Sequence, residues 1–181
     1  ADAHWVDVDG CAGMRLVFDH LIAQGHRRIG LIAWPEGSAS GDERGRGGLE
    51  SLAAHGLSPD VLLVSRGEND VLTGYNAARE FMAHPHPPTA IAAVSDIVAM
   101  GALRYLSEMG ISNIAVTGYD DTPVAQFTVP TLTSVRQPIE LTASLLDSML
   151  ETLLSGQTVE EKHHLLVPQL IVRTSSADAV F

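Results

Sequence analysis

Two adjacent carboxylates, Asp120 and Asp121, follow the apolar run Ile114-Ala115-Val116. That run reads as a buried strand, so the acids stand at its carboxyl end, where open parallel sheets bind ligands. A carboxylate there can accept two hydroxyl hydrogens at once, which is the chemistry of polyol recognition. Its other use is to bond its own backbone in a turn, and Asp121 fits that use better than Asp120. Trp34 lies at the carboxyl end of a second buried run, Ile29–Ala33, and offers either an aromatic wall or a surface contact. Covalent chemistry finds no support: there is no nucleophile elbow, phosphate loop, zinc-protease helix or dinucleotide fingerprint. The close histidine pairs, His84-Pro85-His86 and His163-His164, lack a Cys or carboxylate at ligand spacing, so no metal is expected. No catalytic residue and no cofactor is expected either.

The elements that must position these groups alternate. Trp5-Val6-Asp7-Val8 reads as a strand. A helix near 11–24 carries Met14, Val17, Phe18, Leu21 and Ile22 on one face and ends at Gly25, as a left-handed cap would end it. Strands follow at Ile29–Ala33, 61–65 and 90–94, with helices at 43–55 and 74–83 between them. A helix after Val94 presents Val98, Ala102, Tyr105, Leu106 and Met109. Ser95 or Asp96 can cap it, and for Asp96 the cap is the preferred reading. Pro138 suits the first turn of a further helix bearing Leu146, Met149, Leu150 and Leu153. Pro168 interrupts the last apolar run, so that strand should be at an edge or bent. Strands separated by single helices imply right-handed crossovers and a parallel sheet covered on both faces.

The chain has 181 residues, a hydrophobic content of 45% and a formal net charge of −11. The apolar content supports a sizeable core. The acidity excludes a phosphate-binding surface, since only 11 Lys and Arg are present and such surfaces need them clustered. No apolar run approaches the ~20 residues that span a bilayer, so no membrane partner is expected. The start, Ala1-Asp2-Ala3-His4, lacks the features of a signal peptide. The single cysteine, Cys11, fits a reducing compartment. A cytoplasmic protein is expected.

The stretch 118–138, GYDDTPVAQFTVPTLTSVRQP, resembles a signature of the LacI/GalR family of bacterial transcription regulators. There a Gly-aromatic-Asp-Asp turn precedes a Pro-x-Leu-Thr-x-Val-x-Gln-Pro crossover. Three further matches accompany it: Gly25-His26-Arg27-Arg28-Ile29, Asp96-Ile97-Val98-Ala99-Met100-Gly101, and Val167-Pro168-Gln169-Leu170-Ile171 with Val172-Arg173-Thr174-Ser175. The loop Gly110-Ile111-Ser112-Asn113-Ile114 is shorter than the family's. The resemblance implies an α/β, periplasmic-binding-protein-like fold: a Rossmann-like parallel sheet flanked by helices. One subdomain would be nearly complete, from residues 26–136 and 164–181. Residues 1–25 and 137–163 would form part of a second, amino-terminal one. The chain would begin inside the effector domain, beyond the family's DNA-reading headpiece.

The same resemblance nominates an effector site. Arg44 stands at the offset of an effector-contacting arginine, and a guanidinium's planar fork suits two adjacent sugar oxygens. Asp120 matches a sugar- or base-contacting aspartate. Ser40 and Ser95 match small polar cleft positions. Asn69 replaces an aromatic that stacks on a pyranose, and Trp34 could restore that wall. Met100, Val124 and Phe127 fall where the family dimerises. The implied partners are a small-molecule effector of carbohydrate type, a second copy in a homodimer, and operator DNA reached only through the headpiece. The implied function is effector sensing that modulates operator binding. The rivals are a periplasmic-type sugar-binding protein of a transport system and an α/β enzyme. The motifs named above argue against the first, and the absence of a catalytic constellation against the second.

Overall fold

The computed structural model describes residues 3–177. Three runs rich in Ile, Val, Leu and Ala form strands buried at every position: β2 (Ile29–Ala33), β4 (Ala90–Ala93) and β5 (Ala115–Tyr119). Continuous burial is expected of strands with both faces covered. They are joined by β3 (Leu62–Arg66), β6 (Thr133–Arg136) and β8 (Gln169–Ile171) in one six-stranded sheet of order β3-β2-β4-β5-β6-β8. Every pairing is parallel except β6 with β8. A second sheet consists of β1 (Trp5–Val8) and β7 (His163–Leu166), also parallel.

The side-chain period of two divides the core into two layers. Leu31, Ala33, Ala90, Ala92, Val94 and Tyr119 pack with Met14, Val17, Phe18 and Leu21 of α1 (Gly10–Ala23) and Leu52 of α2 (Ala39–Ala54). Ile32, Ile91, Ala93 and Val116 pack on the other side with α3 (Val71–Ala83) and α4 (Asp96–Glu108). The last two helices meet backbone to backbone. A Cβ on Gly74 would overlap the Val98 carbonyl oxygen, and one on Gly101 the Val71 carbonyl oxygen. The glycine of the Asp-x-x-Ala-x-Gly motif is therefore a packing requirement. α5 (Ile139–Leu154) runs beside β1, and a short α6 (Thr174–Ala177) ends the described chain.

The mixed parallel sheet flanked by helices is the expected fold class. Pro168 sits where expected, between β7 and the edge strand β8. Three expectations are corrected. α1 does not accompany β1 in a separate unit: eight of its residues are buried, its core residues lie in the large sheet's layer, and Asp9 caps it. The chain enters the large unit at Asp9, not near residue 25. Similarly β7 stays with β1 through Leu166, so the return falls at Val167-Pro168 rather than at residue 163. α2 also begins at Ala39 rather than 43. Its first turn, Ala39-Ser40-Gly41-Asp42, has no apolar period to announce it. It is held instead by Gly41 against Trp34 and by the Asp42 carboxylate, which accepts from Gly37 N at 3.0 Å.

Candidate functional site

Strand order reverses between β2 and β4, the switch point at which open α/β sheets bind ligands. Trp34 follows β2 there, and Val94 follows β4. Arg44, in the second turn of α2, reaches both. Its Nη1 donates to the Val94 carbonyl oxygen at 2.5 Å. Its Nη2 lies 3.8 Å from Asp120 Oδ1. Its Cζ stands 3.7 Å from the Tyr119 ring centroid and 5.0 Å from that of Trp34, both within cation–π range. Arg44 is only 7% exposed. Burial lowers its pKa, opposed by Tyr119 and Asp120, and a guanidinium so placed stays a cation.

Asp120 and Asp121 both adopt positive φ, 106° and 47°. Such a conformation is costly for side-chain-bearing residues and tends to occur where a carboxylate must be aimed. The Asp120 carboxylate accepts from Gln137 Nε2 at 2.8 Å. Burial raises its pKa, and Asp96 adds to the rise, against the pull of Arg44 and Gln137. Asp121 turns the other way, and it does not bond its own backbone as the turn reading expected. Its side chain is 3% exposed and paired with Arg136 and Arg173, each at 2.6 Å.

Asp96 also departs from expectation. Ser95, not Asp96, caps α4, accepting from Val98 N at 3.4 Å. The buried Asp96 carboxylate instead accepts from the Ser134 hydroxyl at 2.5 Å and from Thr122 N and Oγ1 at 2.7 and 2.8 Å. It fastens the Asp120-Asp121 turn to the sheet. Burial raises its pKa against these three bonds.

A cavity of about 590 Å³ opens beside Arg44, lined by Ser40, Glu43, Tyr119 and Gln137 of the large unit and by Trp5, Asp7, Asp9 and Leu165 of the small one. Of the nominated residues, Arg44 and Ser40 line it, while Trp34 and Asp120 touch Arg44 from behind and beside. Ser95 and Asn69 are absent from that lining and bond each other at 2.5 Å. Tyr119, Asp9 and Gln137 were not singled out from the sequence. Period-two alternation from Ala115 would have placed Tyr119 on the α1/α2 face, but nothing in the sequence announced Arg44 beneath it. Among the described residues, Trp34 Nε1, Arg44 Nε and Tyr119 OH are buried with no hydrogen-bond partner. An orphaned donor on the guanidinium itself and one on each of the two rings against it are unusual, since buried polar groups are nearly always paired.

A second cavity, about 650 Å³, lies at the other end of the sheet around Leu106, Ile111 and Pro130. The hydroxyls of Thr174, Ser175 and Ser176 beside it are already used by Thr131, Val116 and Thr133, and no buried charge faces it. Phe127 and Val124 are 76% and 42% exposed. Met100 lines a shallow hollow of about 340 Å³ with Val71, Leu103 and Val129. No group of three or more His, Cys, Asp or Glu among the described residues could hold a metal ion. No helix among them is long and apolar enough to cross a membrane.

A profile for the periplasmic binding protein-like domain matches residues 18–176. The chain belongs to this family. Its periplasmic-binding-protein-like frame is 38% identical, over 94% of the chain, to the HTH-type transcriptional regulator CelR of Thermobifida fusca. The chain spans about half of that relative's length (51%). The crystal structure of a LacI-family regulatory protein from Chloroflexus aggregans superposes with a TM-score of 0.89 at 37% identity, covering 96% of this chain and 64% of that one. The structure of a CelR–cellobiose complex gives 0.87 at 37%, covering 96% and 54%. The LacI/GalR resemblance drawn from the motifs is thus borne out. The relatives are transcription regulators, not enzymes.

Proposed function

We propose that this chain is the effector-binding part of a cytoplasmic LacI-type transcription regulator, and that a carbohydrate occupies the cavity beside Arg44. The observation that carries this reading is Arg44 itself: a buried guanidinium beside Asp120 at the switch point of the sheet, with unpaired donors around it. Arg44 supplies N–H groups and Asp120 and Asp9 supply acceptors, a set that suits vicinal hydroxyls. The site borders both units, so a ligand there would bias the angle between them, a hinge motion. In the whole regulator that angle would be linked reciprocally to operator affinity. Operator contacts would come from a headpiece outside this chain, in keeping with the net charge of −11.

A LacI-type regulator reading is favoured over a transport protein because the relatives are regulators. The cellobiose complex of one relative makes cellobiose the first ligand to test. Titration calorimetry with cellobiose and other sugars should find a binder whose affinity falls about tenfold or more in Arg44→Gln and in Asp120→Asn, the loss of a charged hydrogen bond. Unchanged affinity in both variants would move the site elsewhere. Pairing of two copies would use the exposed apolar groups Phe127, Val124 and Met100. Phe127→Glu should then halve the mass measured by sedimentation, and a wild-type chain that is monomeric at tens of micromolar, a range chosen as an order of magnitude, would refute the pairing.

A further inference from the structure

We propose that Tyr119 and Trp34 are positioning residues for Arg44, and that Trp34 is not a stacking wall for the ligand. The inference rests on the reading of Arg44 as the ligand's donor. Both rings lie against the same guanidinium, 3.7 Å and 5.0 Å from its Cζ. A ring that faces a guanidinium engages its π surface, which leaves the N–H edge as the part that can address a ligand. Nη1 is used by Val94, and Nη2 faces Asp120 at 3.8 Å, longer than a hydrogen bond. Nε has no partner.

Tyr119 is itself fixed from below. It is fully buried, and its hydroxyl end presses on α1 at Gly13, where a Cβ would overlap the hydroxyl and come within 2.9 Å of Cζ. Its hydroxyl is pushed up to about 12 by burial and so stays protonated. The ring therefore serves as a neutral floor, placed by α1 and β5 together. Trp34 packs at the other end of the contact, beside Gly41 in the first turn of α2, where a Cβ would stand only 3.2 Å from the tryptophan side chain. The arginine is thus held by two rings from two strand ends, while its own helix carries it. The ligand feature that fits is a pair of adjacent oxygens in the plane of the guanidinium. An apolar sugar face laid on Trp34 does not fit, because the tryptophan is engaged by Arg44.

The test needs no ligand. In the ¹⁵N-labelled chain, the Arg44 Nε–H resonance, assigned by its loss in Arg44→Lys, should be shifted upfield by the rings and should exchange slowly because it is buried. Tyr119→Phe keeps the ring and should leave the resonance in place. Tyr119→Leu and Trp34→Leu should each move it toward the exposed arginines and speed its exchange about tenfold or more, as local opening becomes easier. Wild-type shift and exchange in both leucine variants would overturn the proposal, since Val94 and Asp120 would then suffice to hold the guanidinium. If Trp34→Leu weakens cellobiose binding while leaving the Arg44 resonance unmoved, tryptophan is a wall after all, and the proposal fails. A wild-type chain that binds no sugar would count against the site reading alone, because the resonance reports position without ligand.

Discussion

α1 and α5 are similar helices with different fates. They have 14 and 16 residues and both carry apolar side chains at helical spacing. α1 buries eight residues, with Met14, Val17, Phe18 and Leu21 fully covered, whereas α5 buries only Met149. The sheets differ in the same way. β2, β4 and β5 are covered at every position, while β1 and β7 alternate between exposed and half-buried. The lesson is that an apolar face becomes a core only where a second layer meets it. The large unit has helices on both sides of its sheet; the small unit has one helix beside two strands. The candidate site lies where the two meet, and its charged groups are held by the well-covered side.

The sharpest way to break this contrast is in the α1 layer. Phe18→Ala removes a ring with no exposed surface, and the cavity should cost about 3–5 kcal/mol in urea unfolding. A loss below about 1 kcal/mol would mean that α1 is no more firmly seated than α5. A smaller cost is expected from the opposite change, overfilling. Gly101→Ala puts a methyl group where the Val71 carbonyl oxygen stands, so α3 and α4 must part, at about 1–3 kcal/mol. Wild-type stability for this variant would show that the two helices are not locked.

These contrasts were only partly readable from the chain. The buried strands, their order of alternation with helices, and the stops at Gly25, Gly110 and Gly156 follow from local rules, because apolar runs and left-handed glycines act within a few residues. The allegiance of α1 does not. Its Met14, Val17, Phe18 and Leu21 say that one face is covered but not by which sheet. The site divides along the same line. Asp120 and Trp34 stand at strand ends, a position that sequence marks. Arg44 was nominated by a family motif, and its contacts with Tyr119 and Val94 are long-range facts of the fold. Asp96 was misread as a cap because Ser95 and Asp96 compete locally for that role, and the winner is decided by Thr122 and Ser134, more than twenty residues away. Asn69, read as a cleft position, is occupied by Ser95 instead.

Acid should distinguish the units by a moderate effect. His20 and His26 lie on the covered side, His26 with no exposed surface and bonded through Nδ1 to Thr89 at 2.9 Å, His20 bonded to Ser176. Burial holds both below their ordinary 6.5, and for His26 the neighbouring His20 and Arg27 lower it further. Their contribution is therefore complete above 6.5 and is lost as pH falls toward the depressed values, because the unfolded chain takes up the protons first. Asp96 and Asp120 act with the opposite sign. Their carboxyls are raised above 3.8, so what they add is present below that value and lost as pH rises through the raised ones. The melting temperature should fall between about pH 7.5 and about pH 5.5, and His26→Gln or His20→Gln should flatten the fall. An identical slope in both variants would remove the histidines from the account.

The smallest effect tests the uncovered side directly. Leu150 and Leu154 of α5 are 54% and 79% exposed, whereas Met149, next along the same helix, is 7% exposed. Neither leucine has a second layer to leave empty, so Leu150→Ala and Leu154→Ala should each change stability by no more than about 0.5 kcal/mol. Met149→Ala should cost about 2 kcal/mol or more, because it opens a hole between α5 and its neighbours. Helix propensity cannot blur the result, since alanine is if anything the better helix former than either residue it replaces. Urea unfolding of the three variants side by side reads the difference within a single helix. If Leu150→Ala costs as much as Met149→Ala, the face is covered in solution. A dependence of that cost on protein concentration would then identify a second copy as the cover, and the contrast between α1 and α5 would be one of partners within the chain against partners between chains.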